Sequence, residues 1–111
     1  MATKKSTIEY ISEQISGAGV IRSRSMFGEY ALYCDEKVVA FVCDDHLFVK
    51  LTEAGKNFLG KPTEAPAYPG SKMYYLITGD FWDDKEYMSE LIKITATVLP
   101  LPKKKPKKKL S

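Results

Sequence analysis

The chain has 111 residues, 44% of them apolar, which is enough for one domain around a single core. Its formal charge of +3 comes from six lysines between Lys103 and Lys109; the body before them carries 11 basic and 14 acidic side chains. Net charge therefore argues for nucleic-acid contact by the tail alone, and two cysteines are too few for a disulfide scaffold.

Met1 to Ser6 lacks the apolar stretch of a signal peptide. The longest apolar run, Val38 to Cys43, is far short of the ~20 residues that span a bilayer. The reading is a cytoplasmic protein with no membrane partner. Ser6-Thr7-Ile8-Glu9 has the form of a capping box, with Ile8, Ile11 and Ile15 following at helical spacing. Gly17 and Gly19 are expected to end that helix. Val20 to Phe27 then alternates, with Arg22, Arg24 and Met26 on one face and Ile21, Ser23, Ser25 and Phe27 on the other. Glu29 to Cys34 reads as the second strand and Val38 to Cys43 as the third, joined by an Asp35-Glu36-Lys37 turn. Asp44-Asp45-His46 is expected as the next turn and Leu47 to Leu51 as the fourth strand.

With a turn of that length, Val39, Phe41 and Cys43 share a face with Leu47, Val49 and Leu51, which is the expected core face. Thr52 can cap a short helix over Glu53 to Leu59. Pro62, Pro66, Pro69 and Gly70 predict loop from Gly60 to Ser71. Met73 to Ile77 is a fifth strand. Asp83 and Glu86 fit the start of a last helix, with Met88, Leu91, Ile92, Thr95 and Leu99 along one face and Pro100 and Pro102 ending it.

The order is α-β-β-β-β-α-β-α. Short turns make neighbouring strands antiparallel. The expected fold class is α+β: helices packed on a largely antiparallel five-stranded sheet over residues 1–99, with a disordered Lys/Pro-rich tail over 100–111.

Met26-Phe27-Gly28, Tyr30, Leu32-Tyr33, Leu47-Phe48-Val49-Lys50, the Pro-Tyr loop and Met73-Tyr74-Tyr75 resemble the TfoX N-terminal domain family over most of Ile8 to Leu99. The resemblance implies an α+β fold like that of the type III secretion chaperones. It also implies a link to the TfoX/Sxy regulators of natural competence. Glu29 and Ala31 stand where the family often has glycine-rich spacing, and the Tyr-Tyr strand runs on as Leu76-Ile77-Thr78 rather than into a proline. Competence regulators carry a second, helical domain after this one, so the chain resembles the stand-alone members.

Candidate chemistry is sparse. Cys43 and His46, the only histidine, are three residues apart, but no orienting group accompanies them. They read as a strand end and a turn, and no cofactor or metal is expected. Cys34 and Cys43 close consecutive strands, at opposite ends of a hairpin and beyond disulfide reach. Arg22 and Arg24 are either a phosphate or carboxylate site or a charged edge that blocks unwanted pairing. Val38, Val42, Phe48 and Lys50, with Ala40, mark a second sheet face as a candidate surface for a protein partner or a second copy. Lys103, Lys104, Lys105, Lys107, Lys108 and Lys109 offer nonspecific, salt-sensitive affinity for nucleic acid. The functional expectation is a non-enzymatic regulatory or protein-interaction domain. The alternative is a direct DNA-binding regulator, which requires the acidic body itself to bind.

Overall fold

The computed structural model describes residues 3–26 and 29–100. The six tail lysines, and Phe27-Gly28 of the Met-Phe-Gly element, lie outside the described residues.

The first helix, α1, spans Lys5–Gln14, and β1 follows at Ile21–Met26. Three strands come next: β2 at Glu29–Cys34, β3 at Lys37–Cys43 and β4 at His46–Val49. Helix α2 covers Glu53–Leu59; β5 is Thr63–Pro66 and β6 is Met73–Ile77. A single turn of helix, α3 (Gly79–Trp82), leads into α4 (Lys85–Val98). The fold is α+β. Among the described residues its sheet has six strands, not five, in the order β1-β2-β3-β4-β6-β5, every neighbouring pair antiparallel.

The additional strand, β5, lies inside the segment expected to be loop. Its proline is Pro66, the last residue of an edge strand, where a missing N–H costs no ladder bond. The other edge is β1, whose residues after Ile21 are all exposed.

α1 begins one residue before Ser6, so the expected capping box does not form; Lys4 is the N-cap, with no side-chain cap of its own. The cap comes from across the fold. Asp45 Oδ1 accepts from the Lys4 N–H and the Thr7 hydroxyl, each at 2.9 Å. α1 also ends earlier than Gly17, at Gln14, and a 3₁₀ turn over Ser16–Ala18 follows. The start of α4 lies one residue later than expected: Asp84, not Asp83, accepts from Tyr87 N–H. At its far end, Lys37 Nζ donates to the Ala96 carbonyl at 2.7 Å, matching a cation to the negative end of the helix.

Both hairpin turns are tighter than expected. Asp35 and Glu36 have φ of 51° and 72°; Asp44 and Asp45 have 53° and 60°. Positive φ at both central residues is the type I′ turn, whose twist suits a hairpin. Lys37 and His46 therefore already belong to strands, and Cys43 pairs with His46 rather than with Leu47. Val42 then faces Leu47, and Phe41 faces Phe48. A bulge in β3 adds a second shift: Leu32 pairs with Ala40 but Tyr33 pairs with Val38, leaving Val39 unpaired. Val39 and Ala40, consecutive residues, both enter the same core cluster.

That cluster lies between the sheet and the helices. Ile8, Ile11, Ile15, Leu32, Val42, Leu47, Val49, Met88, Leu91 and Ile92 form its centre. The expected grouping of Val39, Phe41 and Cys43 with Leu47, Val49 and Leu51 is thus corrected. Leu47 and Val49 face the helices, Phe41 and Cys43 face away, and Leu51 is exposed. A one-residue change in turn length exchanges the faces of a strand, and the two-residue turn makes that change.

Candidate functional site

The face of the sheet turned away from the helices carries a smaller apolar cluster of Cys43, Phe48, Ala67 and Tyr74, flanked by Phe41, Ala65 and Leu76. Phe41 and Tyr74 meet edge to face, with ring centroids 5.5 Å apart. One segment, Ala67 to Ser71, folds over part of this cluster. Its shape follows from Tyr68-Pro69-Gly70-Ser71: Ser71 N–H donates to the Tyr68 carbonyl at 3.0 Å, and Gly70 takes φ of 88°. Proline second and glycine third is the pattern a type II turn requires. Ser71 Oγ accepts from Ala67 N–H at 2.9 Å and fixes the entry to the turn.

Between this turn and β1 the cover stops. The gap is a groove of about 580 Å³ lined by Met26, Glu29, Phe41, Cys43, Asp44, Ala67, Tyr68 and Pro69. Its walls hold large apolar side chains in contact with solvent: Met26 is 39% exposed and Tyr68 58%. Its acidic rim is tied to the backbone. Glu29 Oε1 accepts from the Asp44 N–H at 3.0 Å and from the Thr3 hydroxyl at 2.6 Å. Cys43, at the base, is 7% exposed, and burial, reinforced by nearby Glu29, raises its pKa and holds it as the neutral thiol. His46 does not activate it; its Nδ1 lies 2.7 Å from the Asp44 carbonyl. Among the described residues, no group of three His, Cys, Asp or Glu is placed to hold a metal ion. Cys34 and Cys43 are both free and buried. They sit at opposite ends of β3, Cys34 beside Lys37 and Cys43 beside His46.

Beside the groove lies a smaller hollow of about 320 Å³, lined by Arg22, Ser23, Arg24 and Tyr33. Arg22 crosses the Tyr33 ring, 5.4 Å from its centroid, and pairs with Glu36 at 3.0 Å. That is the single ion pair among the described residues, so Arg24 has none there.

The candidate partner surface read from the sequence is therefore divided. Arg22 and Arg24 are exposed on the helix-free face. Val38, opposite Tyr33, is half-buried. Phe48 belongs to the helix-free face but is covered by the cluster around Tyr74 and Ala67. Lys50 is half-buried, its pKa lowered by burial and then by neighbouring Lys72. Val42 is no surface residue: it is fully buried under the helices, because it faces Leu47 in the tight-turn register. The groove's own wall, Met26, Phe41, Tyr68 and Pro69, did not stand out in the sequence as a surface. The Tyr-Pro-Gly-Ser turn was the available signal, since it predicts a projecting tyrosine. Among the described residues no helix is long and apolar enough to cross a membrane.

The profile of the TfoX N-terminal domain family matches residues 13–98. A relative from Spirochaeta aurantia, named "Uncharacterized 12.7 kDa protein in trpE 5'region", is 40% identical over 103 residues, covering 93% of this chain and 89% of that protein. The match spans the sheet, the Tyr68 turn and α4, so the elements that frame the groove lie within it. The chain belongs to the TfoX N-terminal domain family.

Proposed function

We propose that this domain is a non-enzymatic, cytoplasmic regulatory module that acts by binding a protein partner on its helix-free sheet face. The groove carries the reading. Exposed Met26 and Tyr68 flank a half-open apolar cluster, in a domain whose other sheet face is filled by its own helices. Apolar side chains bordering a concave surface with a polar rim are what protein interfaces use. Membership in the TfoX N-terminal domain family supports a regulatory role, with transcription or competence control as its specific form. Two buried free thiols suit a reducing compartment.

The test is site-specific photo-crosslinking of the full chain in cells that make it. A photoreactive residue replaces Tyr68 in one variant and Glu90, exposed on α4, in another. Discrete protein adducts are expected from position 68 and not from position 90. Equal labelling from both positions, or none from position 68, refutes the reading.

Direct DNA binding is the second reading, favoured by the exposed pair Arg22 and Arg24. It predicts that duplex binding falls when both arginines become alanine in the full chain. If the tail alone binds, only neutralising Lys103 to Lys109 abolishes it, and affinity drops steeply with salt.

A further inference from the structure

The two edges of the sheet differ. β5 is short and ends in Pro66, a device that blocks strand addition. β1 has six residues, no proline, and five exposed positions. The hydrogen bond from Asp35 N–H to the Val20 carbonyl, 2.9 Å, sets the alternation along the β1–β2 hairpin. Counting from it, the main-chain groups of Arg22 and Arg24 turn toward β2. Those of Ile21, Ser23 and Ser25 turn outward, and among the described residues no strand lies beyond them. Edge backbone of this kind is a template for another strand.

We propose that β1 accepts an extended segment of another protein that carries carboxylates at alternate positions. This names the partner chemistry for the interaction surface described above and rests on that reading. Arg22 and Arg24 share one face and are spaced about 6.6 Å along the strand. A paired strand with acidic residues at i and i+2 presents its charges at the same interval. Arg24 has no ion pair among the described residues. The Arg22–Glu36 pair is exposed on both sides, so exchanging Glu36 for an incoming carboxylate costs little. The Tyr33 ring beneath Arg22 restricts the guanidinium and leaves its edge available for a two-point contact.

A second copy of the chain is a poor occupant. Two-fold pairing centred on Ser23 sets Arg22 of each copy opposite Arg24 of the other, and like charges directly across a ladder repel. Nucleic acid would use the arginines but leave the outward N–H and C=O groups unpaired, and the surrounding body carries more acidic than basic groups.

The experiment measures fluorescence anisotropy of the full chain with a labelled eight-residue peptide alternating Glu and Val. Salt is held at about 0.15 M, where charge attraction is screened beyond ~8 Å. A second peptide has the same sequence and charge but is N-methylated at its valines, whose N–H groups face β1 when the glutamates lie opposite Arg22 and Arg24. It retains attraction to the lysine tail and loses the strand hydrogen bonds. The unmethylated peptide is expected to bind about tenfold or more tightly than the methylated one, the loss expected for two or three main-chain bonds. The double variant Arg22→Glu/Arg24→Glu is expected to lose this preference and to gain one for a Lys/Val peptide. Thermal unfolding confirms that the variant is folded; if it is not, the methylation comparison on the unaltered chain still decides. Equal binding of the two Glu/Val peptides overturns the proposal, as does binding indifferent to the charge reversal. A DNA duplex that loses binding on reversal while the peptide does not also overturns it and assigns the arginines to nucleic acid. If the peptide fails while crosslinking from position 68 succeeds, the edge proposal falls and the interaction surface stands.

Discussion

Replacing Gly55 by alanine should destabilise this protein, although the same change in most helices is stabilising. Gly55 lies in the first turn of α2, is buried, and donates its N–H to Thr52 Oγ1 at 2.9 Å. Alanine in place of glycine gains at most about 1 kcal/mol from helix propensity. Here the new Cβ would stand 2.8 Å from Thr52 Oγ1 and 3.4 Å from Tyr75 Cε2. The Thr52 backbone cannot readily yield, because its carbonyl accepts from the Tyr75 hydroxyl at 3.0 Å. The Thr52 hydroxyl must therefore rotate away, which removes an N-cap worth up to about 2 kcal/mol and leaves the N–H of residue 55 without its acceptor. Tyr75 Cε2, at 3.4 Å, is in ordinary van der Waals contact with the new Cβ and adds no cost. The cost exceeds the gain, and the net is a loss of about 1 kcal/mol. For a domain of this size that lowers Tm by roughly 4–8 °C per kcal/mol. Differential scanning calorimetry measures it, and Thr52→Ala supplies the partner for a double-mutant cycle. In that background the obstructing oxygen is gone, so Gly55→Ala should be close to neutral or stabilising. A rise in Tm from Gly55→Ala alone, or equal effects in both backgrounds, refutes the reasoning.

Val42→Ala should cost about 2–3 kcal/mol by chemical denaturation, since two methyls leave a filled core. A surface residue would stay within about 0.5 kcal/mol, so a small value would return Val42 to the surface. Asp45 has its pKa lowered first by the Lys4 N–H and then by the Thr7 hydroxyl. A depressed acid stabilises the fold above its unfolded pKa of about 3.9 and loses that contribution as pH falls through the lower, folded value. Asp45→Asn should lower Tm at pH 6, with the gap to the unaltered chain closing below about pH 4; a gap independent of pH contradicts this. Burial raises the pKa of both Cys34 and Cys43. Alkylation followed by mass spectrometry should find both slower than a free thiol, with Cys43 modified first because it lies at the groove; earlier labelling of Cys34 would place the groove wrongly.

Elements whose signals are local were legible in the sequence. Thr52 ahead of α2, the Tyr-rich β6 and the buried stripe of α4 are all carried by residues within a few positions of one another. The α1 cap was not legible, because its acceptor, Asp45, is 41 residues from Lys4. Nor was β5, since proline argues against a strand unless the strand is known to be an edge. The helix-free face was misassigned for a sharper reason. Aspartate tolerates the left-handed region, so Asp44-Asp45 fits a two-residue turn, but it fits a three-residue loop with His46 equally well. Only the observed φ values separate the two, and with that choice Val42 changes faces with Phe41 and Cys43 while Phe48 stays on the helix-free face.

The same turn also explains why the groove opens where it does. Asp45 leaves the turn to hold the start of α1, while the Asp44 N–H is taken by Glu29 of β2. Thr3 joins both neighbours, donating to Glu29 and accepting from Asp45 N–H at 3.3 Å. The chain before α1 is thereby anchored at the turn, and α1 covers the opposite face of the sheet. On the helix-free side, the segment that folds back is the one fixed by the Tyr68 turn, and it reaches the cluster around Phe48 and Tyr74 but leaves the gap beside Met26. Two acidic residues thus sort the faces of β3 and β4, fix the first helix and contribute Asp44 to the groove. A one-residue insertion in this turn would shift the register of β4, turn Phe48 toward the helices and remove the groove together with the core. Stability and partner binding are coupled through that turn, whereas Arg22 and Arg24, exposed on the far edge, can change binding while leaving the fold intact.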